Sequence, residues 1–523
     1  MSFARFIAQR IVRSSSAEPS GLSRPIVVIA VLGIVVGMAV MILTVGITRG
    51  FQREVRAKVT GAAAHLQITA IGQTDPKETL RIPIDQSFYP WLDTVPGIEH
   101  IQAYATRPGI IETESDIEGV VLKGIGTDYD TRFLSKHLID GNLPAIGDST
   151  RPIDLLLSKY QADRLRISAN DTITTYLVRG RDDIRPRKFR VCGVYQTGLE
   201  QIDHNLVFVD IDHLQRFAQW GLKAELLVRD TLVGRAKMML MEALAFGGDR
   251  IYSYDWPGTG LQGKGPHLID VSRLGLVDGM LTVVVSDADR TLPDTAWVRV
   301  KPHDLQLITD SWGTNYPTFT GYDLERGGTG GTYNRYCGGF EVLLDRFEDV
   351  QHFDDLVYTK YLPTQLRSLS VRDRFPEIFA WLELLDKNVV VIIALMVIVA
   401  IINMTSALLI IILERTTMIG TLKALGASNG MVRRIFLANA SYILIRGILI
   451  GDALGITLAV IQQRFGIVKL PVETYYMDRV VVDIDPLAIL ALNLGTLSVC
   501  MLALILPSML VTRIAPAKAI RFA

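Results

Sequence analysis

Little in this sequence suggests chemistry of its own. The 523 residues contain three cysteines, Cys192, Cys337 and Cys500, far apart and with no CxxC pair or Cys/His cluster. That argues against a zinc site and against a disulfide framework. A single Cys192–Cys337 bridge outside a membrane and two free buried thiols both remain open. The eight histidines are dispersed and form no HExxH. Residues 258–264, GTGLQGK, start like a phosphate-binding loop, but Gly265 stands where a Ser or Thr would hold magnesium. The acidic pairs Asp128/Asp130 and Asp287/Asp289 lack the glycine and distal glutamate of a calcium loop. No metal or cofactor is expected on this chain. Charge of one sign is also missing: 54 basic residues face 54 acidic ones, so nothing draws the chain to nucleic acid.

Long apolar runs are abundant. Residues 25–48, 388–413, 435–461 and 486–512 are each long enough to span a bilayer. The first run is too long for a signal peptide and lacks a small-residue cleavage site, so it reads as a retained helix. Basic residues set the orientation. Arg5, Arg10, Arg13 and Arg24 lie before the first run, Arg415, Lys423, Arg433 and Arg434 between the second and third, and Arg513, Lys518 and Arg521 after the fourth. Segment 1–24, loop 414–434 and tail 513–523 are therefore expected in the cytoplasm, and residues 49–387 and 462–485 across the membrane. In segment 1–24, Phe3, Ile7 and Ile11 are spaced for an interfacial helix.

Gly33 and Gly37 have the small-xxx-small spacing that permits close helix approach, with simple tolerance of glycine in lipid as the other reading. Arg446 and Asp452 interrupt the third run. Six residues apart, roughly 9 Å along a helix axis, they are not a direct pair. A functional role and a packing or snorkelling role are both open.

The large region mixes short elements without regular βα alternation, which predicts an α+β domain. HLQITAIG, GIIET, GVVLKGIG, TITTYLVRG, FRVCGVYQTG, NLVFVDI, LTVVVS, AWVRVK and GFEVLLDRF read as strands. LLLSKYQADRLRI, DHLQRFAQW, MMLMEALAF and a stretch near 348–361 read as helices. FQREVRAKV continues the first membrane helix outward, and the apolar spacing of Phe375, Ile378, Phe379, Trp381, Leu382 and Leu385 extends the second. Glycine-rich residues 230–339 read as an insertion or a second small domain.

The loop at 414–434, ERTTMIGTLKALGASNGMVRR, is the most informative stretch. Ile419, Leu422 and Leu425 recur at helical spacing, Gly426 stands where the helix would stop, and Ser428 or Asn429 is placed to cap the next one. Such a helix is either an interfacial anchor or a docking knob for a soluble partner.

These residues resemble the E-R-x-x-x-I-G-x-L-(K/R)-A-L-G-A signature of MacB/FtsX-type ABC transporter permeases, whose coupling helix seats on an ATPase. One helix, a large periplasmic domain and then three helices is the topology of that family. MILTVGITRGFQREVRAKVTGAAAHLQIT, LKGIG, LLLSKYQADRLRISANDTITTYL, FRVCGVYQTGLEQID, LPVETYYMDRVVVDIDP and PSMLVTRIAPAKAIRF are most similar to the lipoprotein-releasing (Lol-type) permeases. The likeness fails over about 230–339.

The resemblance implies an α-helical protein of the bacterial inner membrane, with four transmembrane helices and a MacB-like α+β periplasmic core carrying an insertion. It implies no catalysis by this chain. ATP and magnesium would sit in two copies of a cytoplasmic ATPase, contacted by Glu414, Arg415, Met418, Ile419, Gly420, Leu422, Lys423, Leu425 and Gly426. A second permease copy or a homologue would complete the assembly. The work done would be extraction of lipoprotein cargo from the membrane and its transfer to a periplasmic chaperone. The implied cargo entry lies along helices one and two, near Gly33, Gly37, Met38, Met41, Met396 and Met404, whose methionines suit either a pliable binding surface or plain lipid contact. An FtsX-like transducer that activates cell-wall hydrolases, a MacB-like efflux driver and a membrane-anchored sensor are the alternatives.

Overall fold

A computed structural model describes residues 23–510 except 76, 114–115, 148–152, 180–182, 234–235, 258–260, 263–266, 270–279, 289–291, 304–305, 310, 314, 319–320, 472–474 and 476. Residues 1–22, the tail from 511 and most of the phosphate-loop-like stretch 258–264 thus lie outside the described residues. Contacts divide the chain into a membrane unit, Met1–Ala57 with Phe375–Ala523, and an extramembrane unit, Lys58–Arg374.

Among the described residues, four helices are long and apolar enough to cross a membrane. They are Ser23–Ala63, Pro376–Glu414, Asn429–Phe465 and Pro486–Ala503, the last continued by the turn Ile505–Ser508. Their limits follow from local chemistry. Pro376 opens the second, where its missing N–H costs nothing. Ser428 caps the third by accepting from the Met431 N–H, and Gly466, at φ +57°, ends it. Asp485 caps the fourth by accepting from the Leu487 N–H.

The close approach in this unit is made by glycines the sequence reading passed over. Gly447, Gly451 and Gly455, four residues apart on the third helix, face the first. A Cβ on Gly451 would lie 2.6 Å from Met38 Cβ and 2.9 Å from the Val35 carbonyl oxygen, and one on Gly455 would lie 3.1 Å from Ala39 Cα. In lipid, where apolar surface gains nothing from leaving the solvent, such backbone contact is a main source of helix association. Of the pair named from sequence, Gly33 backs onto the Asn403 side chain of the second helix, whereas a Cβ on Gly37 would meet nothing within 4 Å. Close approach at Gly37 is therefore corrected.

Met38, Met41 and Met404 are also not a surface. They are fully buried with Ile34, Leu408 and Phe436 in the core of the bundle, and Met396 packs half-buried against it. At one end of the unit the first helix is fixed by polar contacts. Arg49 pairs with Asp485 at 2.5 Å, Arg53 with Asp483 at 3.1 Å, and Gln52 donates to Asp386 at 2.9 Å. Arg446 stacks over the Tyr442 ring at 4.3 Å, while Asp452 accepts from Asn493 on the fourth helix at 2.7 Å.

In the extramembrane unit, six strands pair into a closed ring: Ile98–Glu112, Ile117–Ile125, Leu206–Asp210, Asp154–Ser158, Asp183–Tyr195 and Thr172–Arg179, which returns to the first. Closure removes exposed edges. Gly339–Leu344, Leu66–Ala70 and Leu366–Ser370 extend the ring from Ile98–Glu112. Helices Ile211–Ala218 and Val350–Lys360 form where the sequence predicted them.

Two expected helices differ. LLLS at the head of LLLSKYQADRLRI is the strand Asp154–Ser158, all of it buried between two neighbours, and only Lys159–Leu165 is helical. A short apolar run carries no period that separates strand from helix. MMLMEALAF lies in the strand Ala236–Gly247, paired along its whole length with Leu222–Val233. Twelve residues of cross-strand pairing override the helix preference of Met, Leu, Glu and Ala. That hairpin opens an additional set of sheets, including Met280–Ser286, Asp294–His303 and Gly321–Gly328, around the buried Trp256, Val283 and Val298.

The first helix ends inside this unit. Ala64 takes the left-handed conformation (φ 58°), and the chain enters the strand Leu66–Ala70 after one further residue. His65 leaves no slack there. Its N–H donates to the Val342 carbonyl (3.1 Å), its carbonyl accepts from the Val371 N–H (2.9 Å), and its Nδ1 accepts from the Leu344 N–H (3.1 Å).

Burial lowers the His65 pKa from 6.5 to about 4, with Glu99 opposing. The unfolded chain therefore takes up the proton first as pH falls. This stabilisation is complete above about pH 6.5 and is lost towards pH 4, about 2 kcal/mol having gone by pH 5. Thermal unfolding of the full chain in detergent is expected to show a lower Tm at pH 5 than at pH 7. His65→Gln, which keeps an acceptor for Leu344, is expected to flatten that dependence. In the membrane unit, Gly451→Ala is expected to cost about 1–3 kcal/mol through overpacking, and Gly37→Ala almost nothing, read by the same unfolding measurement.

Candidate functional site

The candidate site is the link between the second and third membrane helices. The second ends at Glu414, and the helix Thr416–Ala424 starts after a single connecting residue, Arg415. Thr421 donates its hydroxyl to the Thr417 carbonyl at 3.0 Å. The exit is a compact reversal. Gly426 N–H donates to the Lys423 carbonyl and Ala427 N–H to the Leu422 carbonyl, at 3.0 and 2.9 Å. Gly426 has φ +90°, which a side chain at that position would strain. The stop at Gly426 and the cap at Ser428 are where the sequence pointed.

The faces of this helix are divided differently from the expectation. Ile419 is 0% exposed and Gly420 is buried, with Ile419 belonging to the core of the bundle and Met418 packed against it. Leu422, Lys423 and Arg415 are half-buried. Glu414, Thr417, Thr421, Ala424 and Gly426 are exposed, and Leu425 is 81% exposed. The apolar stripe seen in the sequence thus divides. Ile419 holds the helix to the bundle, and Leu425 projects from its end next to exposed Ala424.

The membrane unit also contains an open cleft of about 550 Å³ among its first, second and fourth helices, at the end carrying Arg49 and Asp386. Val45, Val390, Ile393 and Leu492 make its walls apolar, and Thr48, Arg49 and Asp386 supply the polar rim. Of the residues named from sequence as an entry surface, none lines it.

One polar cluster was missed. In the extramembrane unit, Lys123 and Glu341 form an ion pair at 2.6 Å with side chains 4% and 1% exposed. Burial pulls the Lys123 ammonium below its usual range, and the Glu341 carboxylate opposes that shift. The signal was a lone charge inside each of two otherwise apolar strand runs, GVVLKGIG and GFEVLL. Cys192, Cys337 and Cys500 are buried and unpaired. Among the described residues, no group of three or more His, Cys, Asp or Glu side chains is placed to hold a metal ion.

Comparison with known proteins matches part of each unit. Residues 27–237 match the MacB-like periplasmic core domain, and residues 390–516 match the C-terminal region of FtsX-like permeases. The "Lipoprotein-releasing system transmembrane protein LolC" of Xylella fastidiosa strain Temecula1 is 24% identical over 201 residues, 36% of this chain and 45% of that protein. The protein of the same name from Neisseria meningitidis serogroup B is 22% identical over 227 residues, 40% of this chain and 50% of that one. The chain thus spans about half the length of the relatives it matches. The crystal structure of the extracellular domain of the noncanonic ABC-type transporter YknZ from Gram-positive bacteria is 14% identical, and the match covers 29% of this chain and 75% of that one. At a TM-score of 0.19 that likeness carries no argument. The core-domain and permease matches follow one another along the chain, which is therefore similar in both regions to MacB/FtsX-type ABC transporter permeases.

Proposed function

We propose that this chain is the membrane subunit of an ABC transporter that releases lipoproteins from a bacterial inner membrane, with ATP hydrolysed by a separate cytoplasmic subunit. The observation that carries the reading is the helix Thr416–Ala424, anchored inward by Ile419 and presenting Leu425 outward beside exposed Thr417 and Thr421. A purely interfacial anchor would turn its apolar face to lipid. This one turns Ile419 into its own bundle and leaves Thr417, Thr421 and the strongly exposed Leu425 outside, the form of a socket-filling contact. The absence of a complete phosphate-binding loop from this sequence supports placing the nucleotide cycle on a partner. The names of the LolC relatives support lipoprotein as the cargo.

In this reading both termini and the 414–434 link face the cytoplasm, and two ATPase copies close beneath two permease copies or this chain and a homologue. Closure displaces the link, and the motion passes along the first and second helices. The apolar cleft with the Arg49 and Asp386 rim suits an acyl chain whose polar end stays near the bilayer surface. A periplasmic chaperone receives the released cargo.

Two measurements test this. Leu425→Asp is expected to weaken ATPase copurification in mild detergent by about 2 kcal/mol or more, the loss typical of a central contact, while the four spans insert normally. Ile419→Asp is expected to destabilise the membrane unit instead. Unchanged copurification in Leu425→Asp would remove the docking role. Depletion of the chain followed by fractionation should leave lipoproteins in the inner membrane; normal sorting with a cell-chaining defect would favour an FtsX-like transducer.

A further inference from the structure

The buried polar cluster in the extramembrane unit is built around the end of the first helix. A helix leaves its last carbonyls without intrahelical donors, and here side chains from the sheet supply them. Lys123 Nζ donates to the Ala62 carbonyl at 2.9 Å and to Glu341 Oε1 at 2.6 Å. Gln67 Nε2 reaches the Ala63 carbonyl at 3.3 Å and Glu341 Oε1 at 3.0 Å. Gln102 Nε2 donates to Glu341 Oε2 at 2.9 Å, and the Tyr104 hydroxyl donates to Gln67 Oε1 at 3.3 Å.

The pairing register explains the convergence. Gln67 lies directly opposite Glu341, and Glu341 directly opposite Gln102, so the three form a rung across the sheet. Lys123 is on the next strand along. Four neighbouring strands thus grip one helix end. The grip has two further holds: Lys58 donates to the Thr197 carbonyl at 2.6 Å, and Gly61 leaves room for the Phe133 ring, which a Cβ would strike. The rings of Tyr104, Tyr129 and Phe208 lie 5.3–6.0 Å from the Lys123 ammonium and close it off.

An enclosed ion pair is a poor way to gain stability, since well-packed apolar residues of similar volume often do as well. What charges supply that apolar packing does not is direction: each hydrogen bond fixes an orientation as well as a distance. We propose that the Lys123–Glu341 pair is a positioning joint that locks the end of the first membrane helix to four strands of the sheet, so that displacement of the helix is delivered to the extramembrane unit without loss. The functional half of this inference rests on the permease reading; the structural half does not.

The test uses the full chain with its copurified ATPase, reconstituted in lipid nanodiscs carrying lipidated cargo. In Lys123→Met/Glu341→Met, hydrogen exchange of the amides in 59–63 is expected to quicken by about tenfold or more, with the strand Asp154–Ser158 unchanged. ATP hydrolysis is expected to stay within about twofold of wild type while ATP-dependent release of cargo falls by about tenfold, within the range seen for residues that carry coupling. Lys123→Arg, which keeps a donor for Ala62, should restore most of that release. Gln102→Leu, which removes one bond to Glu341, should show the same split at smaller amplitude, and decides the matter if the double variant fails to accumulate. Wild-type exchange and wild-type release in these variants would overturn the joint. Absence of ATP-dependent release from the wild-type chain would instead count against the permease reading, leaving the exchange data to judge the joint alone.

Discussion

A buried ammonium shared between a helix-end carbonyl and a carboxylate sets the terms for this molecule. Lys123 cannot leave that position cheaply, because an unpaired charge so enclosed would cost several kcal/mol. The Ala62 carbonyl in turn has no other donor of the helix's own making. The first helix, a continuous element from Ser23 to Ala63, therefore ends at a fixed point. One residue beyond it, His65 spends its N–H, its carbonyl and its ring nitrogen on three separate partners. A connection meant to flex would be built from exposed, sparsely bonded residues; this one is its opposite.

Within the membrane unit the same helix is held by other means. Its contact with the third helix runs backbone to backbone at Gly451 and Gly455, and polar contacts from Arg49, Gln52 and Arg53 fix its position near one end. The short helix at 416–424 completes the pattern. Ile419 ties it into the bundle core, while Leu425 stays exposed. Under the proposed function these two properties belong together: a surface that would accept force and elements too well packed to dissipate it.

Much of this was legible from residues alone. Four spans, the link helix, its stop at Gly426 and the cap at Ser428 follow from length, period and cap chemistry, which are local. Most strands of the ring were also visible, because each is a short apolar or alternating run. What escaped depended on partners distant in sequence. MMLMEALAF is a strand only because Leu222–Val233 lies beside it. Gly447, Gly451 and Gly455 were overlooked while Gly33 and Gly37 drew attention, since spacing shows which glycines could approach a helix but not which ones face it. Met38, Met41 and Met404, read as a surface, are core for the same reason. Lys123 and Glu341 lie 218 positions apart, and only the register of four strands brings them together.

The central claim is that the exposed end of the link helix receives force from an ATP-hydrolysing protein. The most direct test is a photo-crosslinking amino acid placed at Leu425 in the full chain, activated in intact cells, followed by identification of the adduct. The account predicts one dominant adduct to a cytoplasmic ATP-binding protein, lost when the same probe is placed at exposed Leu449 on the third helix. Adducts to lipid alone, or to a protein on the opposite side of the membrane, would contradict it.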